Sequence, residues 1–361
     1  MKKALALVLA LAMVLALAAC GGSASSAPAA SSAPAASTPA ASAPDAPAAA
    51  PTYTLKLAHY ATEDHPGGVA ARQFADEIFE KTNGDVLVEV YPNNELGDPA
   101  QILEQNILGA VDMSLGTQGS LDKYSKKFAT VMMPFTFESY ELAYAVLDGP
   151  FYDWVKDELL DQGLVYLGSW DYGFRCMTNS VRPVNSPDDV KGLKMRTPGE
   201  IQLQSCMEAL GAEVQSIAFN ELYLSLKQGV VDGQENPVSV IYTQKFYETQ
   251  KYLAVTNHVY NSMNLVVSQK TWDSLPAEYQ QIITEASAHA AATMRELVSS
   301  SDADYIAKLE AEGMEVTYPD TAQFAAAMQP SYDKIAEYCG DASYITTFQQ
   351  MVEDCRKQLA G

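Results

Sequence analysis

A chain of 361 residues with 45 acidic and 23 basic side chains carries a formal charge of −22. So acidic a surface excludes a nucleic-acid binder and a patch for anionic lipid, although it leaves room for a local basic pocket. The five cysteines include no C-x-x-C pair, so neither a zinc site nor thioredoxin-like chemistry is supported.

Lys2 and Lys3 precede an almost wholly apolar run over residues 4–19. The run is short for a membrane span and has the flanks of a secretory signal. It ends in Leu17-Ala18-Ala19-Cys20, which resembles the bacterial lipobox. Processing there would leave Cys20 lipidated as the first residue, and two or more acyl chains give a stable membrane anchor. Loss of the two lysines takes the charge from −22 to −24. Residues 21–51 contain only Gly, Ser, Ala, Pro, Thr and one Asp. Nothing there offsets the entropy of ordering, and the prolines favour an extended tether.

The folded part begins with an alternating strand at 53–59, followed by a helix at 67–82 whose stripe is Val69, Phe74, Ile78 and Phe79. Gly84 suits a left-handed cap. Further strands are expected at 86–91, 112–116, 164–170 and 192–196, and helices at 99–108, 201–210 and 219–227. Residues 229–233 turn sharply, and Asn236 lies in a tight Gly-Gln-Glu-Asn-Pro turn. This alternation predicts α/β architecture with a mainly parallel sheet. Ser274 caps, Pro276 opens and Glu278 favours a helix running to about Glu312. At ~1.5 Å per residue it is long enough to cross two lobes. The alternative is two helices broken near Ser299–Asp302, where poor helix formers cluster.

Three segments stand out: Trp170-Asp171-Tyr172-Gly173-Phe174-Arg175, the stretch from Arg182 to Pro198, and the stretch from Phe219 to Pro237. With Asn94-Glu95-Leu96-Gly97-Asp98 and Gly109–Met113, they resemble the DctP-type solute-binding proteins of TRAP transporters over about residues 53–345. The resemblance implies a two-lobed, periplasmic-binding-protein-like fold with a hinge between the lobes. Lobe I would comprise 52–172 and 262–301, lobe II 173–261 and 302–361, with the long helix spanning both. The hinge strands would lie near Ser169–Arg175 and Tyr260–Val266.

Arg196 ends an apolar strand just before Thr197-Pro198-Gly199, and in open α/β sheets ligands sit beyond the carboxyl ends of strands. Its planar fork of donors matches a carboxylate. The family's carboxylate-clamping arginine falls on Arg196, a second ligand-facing arginine on Arg175, and a ligand-bonding asparagine on Asn236. Phe219 and Trp170 are read as apolar walls or as plain core. The family's ligand loop after the first strand holds His59, Tyr60 and Glu63; Gln118 and Glu95 are further candidates. A glutamate in the pocket would point to a ligand that also carries a hydroxyl or amine group.

No nucleophile elbow, zinc-protease motif, dinucleotide fingerprint or phosphate loop occurs in the sequence, and no cofactor or metal is expected. Cys176 beside Arg175 is read as a packing residue, since no general base is evident nearby. Cys339 with Cys355, or four free thiols, both stay open. The resemblance implies an extracytoplasmic, lipid-anchored protein that passes a small organic acid to TRAP membrane subunits. Two other readings are a secreted lipoprotein enzyme and a ligand-presenting sensor module.

Overall fold

The computed structural model describes residues 50–361. The signal segment 1–20 with Cys20, and the linker as far as residue 49, lie outside the described residues. Eleven strands form two mixed sheets: β1 (Tyr53–His59), β2 (Val86–Tyr91), β3 (Met113–Thr117), β4 (Leu164–Ser169), β5 (Gly173–Asn179), β6 (Lys194–Thr197), β7 (Glu213–Ser216), β8 (Gly233–Pro237), β9 (Tyr252–Asn261), β10 (Met263–Ser268) and β11 (Glu315–Thr317). The first sheet has the order β2-β1-β3-β10-β4 and the second β11-β9-β5-β8-β6-β7.

Each sheet is less parallel than the strand-helix alternation predicts. β1 runs parallel to β2 and β3, but β10 lies antiparallel between β3 and β4. In the second sheet β6, β7 and β8 are parallel, whereas β5 is antiparallel to both β8 and β9. The exceptions arise where the chain changes sheet. β4 leads into β5 through residues 170–172, and β9 into β10 through Ser262 alone. The two segments β4–β5 and β9–β10 therefore cross between the sheets together, and they run antiparallel to one another in both.

The expected turn at Asn236 is in fact a strand. Gly233–Pro237 is β8, in the middle of the second sheet and buried throughout. Its polar side chains find partners inside the sheet, which is what allows them to be there. Thr178 Oγ1 accepts from Gln234 Nε2 at 2.9 Å, and Asn236 Oδ1 accepts from Tyr172 Oη at 3.1 Å. Gly233 is held to glycine by crowding. A Cβ there would lie 2.2 Å from Thr178 O and 2.8 Å from Met195 Sδ. Gly233→Ala is expected to destabilise the fold by about 3 kcal/mol, the upper range for overpacking, as measured by denaturant unfolding.

The first long helix runs from Pro66 to Lys81, and its inner face is Ala70, Ala71, Phe74, Ala75 and Ile78. Val69 and Phe79, read from sequence as part of that stripe, are substantially exposed. The late helix is unbroken over Ala277–Ala311, 35 residues. Serine clusters favour helix breaks by competing for backbone partners, but here the hydroxyls bond back along the helix. Ser299 and Ser300 donate to Arg295 O and Glu296 O at 2.8 and 2.6 Å. Ser274 does not cap it: its hydroxyl donates to Thr271 O, and Pro276 holds the cap position without a side-chain bond. The long helix packs on Pro66–Lys81 beside the first sheet and on the helix Val238–Thr243 that follows β8. The closing helix Ala342–Ala360 returns to the helices Tyr140–Asp148 and Pro150–Asp161, with Phe348 set edge-on to Phe137 and Phe151. All four cysteines among the described residues are free and buried.

Candidate functional site

The carboxyl ends of β1, β3, β6 and β7, with β8, converge on a cavity of about 360 Å³. Tyr60, Arg175, Arg196, Phe219 and Asn236, all expected from sequence, line it together. The end of β3 adds Thr117, loops of the first sheet add Asn94, Asp98 and Asp122, and the Pro198–Glu200 turn adds the opposite edge.

Arg196 is the penultimate residue of β6 and is only 1% exposed. Its Nε donates to Ile217 O at 2.8 Å. Among the described residues no carboxylate forms an ion pair with it. Burial, acting against the charge, pushes its guanidinium down to about 10. A buried cation of that kind calls for an anion, and the cavity beside it is where an anion can sit.

Arg175 on β5 is differently placed. Its Nε is bonded to the Glu235 carboxylate of β8, and its Nη2 donates to Glu235 Oε1 at 3.0 Å and Glu235 O at 2.7 Å. The same nitrogen reaches Asn236 Oδ1 at 3.1 Å. Burial opposes the Arg175 charge, but the Glu235 carboxylate more than offsets this and holds the guanidinium above its ordinary value. Arg175 therefore lines the cavity with most of its donors already committed.

The aromatic wall crosses the cleft. Tyr60, from the loop after β1, stands edge-on to Tyr172 at 5.0 Å and to Phe219 at 5.8 Å. Tyr172, three residues before Arg175, bonds Asn236 and lines the cavity.

Glu200 is the residue that sequence reasoning missed. It follows Thr197-Pro198-Gly199 directly and precedes the helix Ile201–Ala209, where an acidic residue ordinarily reads as a solvated helix start. It is instead buried, and its Oε1 accepts from Thr117 Oγ1 at 2.8 Å across the cleft. Its Oε2 is buried with no partner among the described residues. Burial pushes the carboxyl up to about 7. Gly119 makes the space, since a Cβ there would lie 2.6 Å from Glu200 Cδ. The available signal was position alone: an acid one turn after the Arg-bearing strand.

The remaining candidates lie outside this cavity. Trp170 is fully buried, packed on Phe74, with its Nε1 donating to Ser287 Oγ at 3.2 Å. His59 is buried with its Nδ1 accepting from Ala61 N at 3.2 Å, and burial lowers it to about 4. Glu63 is exposed and pairs with Arg72 at 3.2 Å. Glu95 is exposed, while its neighbour Asn94 faces the cavity. Gln118 is buried just behind Thr117, its Oε1 accepting from Ser262 Oγ and Asn264 Nδ2. Burial pushes the Cys176 thiol up to about 12, which fits a packing residue and not a thiolate. Among the described residues no group of His, Cys, Asp and Glu has metal-binding geometry.

A cavity between two sheets, with one uncompensated guanidinium, describes a place to hold an anion and offers no nucleophile–base pair. Comparisons with known proteins agree. Residues 57–338 match the model of bacterial extracellular solute-binding protein family 7, DctP. The chain is 33% identical over 288 residues to the sialic acid-binding periplasmic protein SiaP of Vibrio cholerae, covering 80% of this chain and 89% of that one. It is 35% identical over 302 residues to the C4-dicarboxylate-binding periplasmic protein DctP of Rhodobacter capsulatus, covering 81% and 90%. A crystal structure of a TRAP periplasmic solute binding protein from Polaromonas sp. JS666 bound to D-erythronate superposes with a TM-score of 0.78 at 33% identity, covering 82% of this chain and 98% of that one. Proteins of this kind bind substrates for transporters and are not enzymes. The chain belongs to bacterial extracellular solute-binding protein family 7, the DctP-type solute-binding proteins of TRAP transporters.

Proposed function

We propose that this protein is an extracytoplasmic lipoprotein, anchored through Cys20, that captures a small organic carboxylate between its two sheets and delivers it to the membrane subunits of a TRAP transporter. The reading is carried by Arg196, a guanidinium 1% exposed, without an ion-pair partner, on the wall of a cavity. The relatives named above take a sialic acid, C4-dicarboxylates and D-erythronate, all of them carboxylates. The lipobox-like Leu17-Ala18-Ala19-Cys20 and the Ala/Ser/Pro tether support the anchor.

In this reading lobe I is 52–172 with 262–301 and lobe II is 173–261 with 302–361, and the lobes bend where the chain changes sheet. Ligand favours the closed form because only there do Tyr60 and Thr117 from one side and Arg196, Phe219 and Asn236 from the other meet around it. The membrane subunits would read that closed surface. A thermal-shift screen of the full chain against dicarboxylates, sugar acids, aromatic acids, 2-oxo acids and sialic acids tests this. At least one acid is expected to raise Tm, by about 2.7 kcal/mol of stabilisation at a hundredfold excess over Kd. A flat response to the whole panel would overturn the reading.

A further inference from the structure

Resting on that reading, the cavity also says what kind of carboxylate it takes. Its two ends differ in charge. At one end is Arg196, the only cavity-lining arginine without a carboxylate partner, since Arg175 is paired with Glu235. One ligand carboxylate satisfies it. The rest of the polar lining is acidic or neutral: Glu200, Asp122 and Asp98, with Asn94, Thr117, Ser120 and Ser216. The one other cation is Lys123, which is exposed. Asp98 and Asp122 already have partners: Asp98 Oδ1 accepts from Gln101 N at 2.9 Å, and Asp122 Oδ1 from Tyr338 Oη at 2.8 Å. Glu200 is left with Oε2 buried and unbonded, an expensive condition that a donor from the ligand relieves.

We propose that Glu200 is a specificity-determining residue: its free Oε2 accepts a hydroxyl of a polyhydroxy monocarboxylic acid whose carboxylate lies on Arg196, and it bars a second carboxylate from that part of the cavity. Above pH 7 Glu200 is mostly ionised, and a dicarboxylate of the same length would bring like charges together beside it. Gly119 belongs to the device, because any side chain there would push Glu200 out of its slot.

The test is calorimetry on the full chain, at a pH well above the Glu200 value of about 7, with matched acids that differ only in the terminal carbon: D-erythronate against meso-tartrate, and D-gluconate against D-glucarate. The wild type is expected to bind the monocarboxylate of at least one pair about tenfold or more tighter, the direction set by like-charge repulsion against the second carboxylate. Glu200→Gln is expected to shrink that preference by about tenfold, chiefly by admitting the dicarboxylate. A wild type that binds the dicarboxylates as tightly as their partners overturns the proposal without any variant having to fold. An unchanged ratio in a folded Glu200→Gln protein overturns it too. Should none of the four bind while another acid of the panel does, the selection by Glu200 fails and the carboxylate reading stands. Should no acid of any kind bind, the carboxylate reading itself fails.

Discussion

Arg196→Lys is expected to lose about 10–100-fold in affinity for the captured acid, the loss of one charge-assisted hydrogen bond of ~1.5–3 kcal/mol. Lysine keeps the charge and surrenders the fork, so two parallel bonds to a carboxylate become one. Melting temperature should change little, for a reason the unliganded site supplies. Arg196 is buried and uncompensated, so its charge opposes folding, and burial lowers the guanidinium to about 10. Its one structural bond, from Nε to Ile217 O, is the main thing lost with it. Arg196→Met sharpens the contrast. It leaves Ile217 O without its donor but relieves the buried charge, so the free protein should melt within a few degrees of wild type while binding disappears. Calorimetry and thermal unfolding on the three proteins separate the two effects. Equal affinity of Arg196→Lys and wild type for the same acid would overturn the clamp.

The parts of this fold that showed in the sequence are those where one physical pattern acts alone. Strand β1 alternates and half of it faces a core, and the helix Phe219–Lys227 keeps its apolar spacing, so both match their expected bounds. β8 does not alternate: Gly-Gln-Glu-Asn-Pro has turn composition and becomes a central strand only because Arg175, Tyr172 and Thr178 satisfy its side chains. Those partners lie some sixty residues away in sequence, and no local rule reaches them. The helix pair Tyr140–Asp148 and Pro150–Asp161 and the closing helices from Gln329 onward went unread. At the site, Arg196 and Asn236 were legible by resemblance to a family. Trp170 shows the opposite case. Its neighbourhood with Arg175 suggested a pocket wall, but strand alternation and the sheet change turn it into the core against Phe74. Glu200 was invisible because its burial depends on Thr117, at the end of β3, and on Gly119, in the turn that follows it.

Glu235→Ala is expected to destabilise the protein by about 3–5 kcal/mol, the cost of leaving one member of a buried ion pair alone. Arg175 and Glu235 are both almost wholly inaccessible, so neither can turn to water. Burial opposes the Glu235 charge, yet the Arg175 guanidinium outweighs it and keeps the carboxyl below its ordinary range. His258 adds to the arrangement, with its Nε2 3.5 Å from Glu235 Oε2 and its own protonation suppressed by burial. The sign of the pH effect follows. A lowered carboxyl contributes stability above its unfolded value and loses it as pH falls through the folded one, so wild type should lose this contribution only in acid. In Glu235→Ala that acid-sensitive component should be absent. Replacing both partners by apolar residues, Arg175→Met with Glu235→Leu, should cost less than the single change, because no charge is left unpaired. Urea unfolding of the single and double variants measures both quantities; a Glu235→Ala protein within about 1 kcal/mol of wild type would show that the pair is not what holds β5 to β8. The same pairing matters to binding. Glu235 neutralises one of the two cavity arginines, so the site presents a single unmatched positive charge, and a protein built this way is suited to grip one carboxylate.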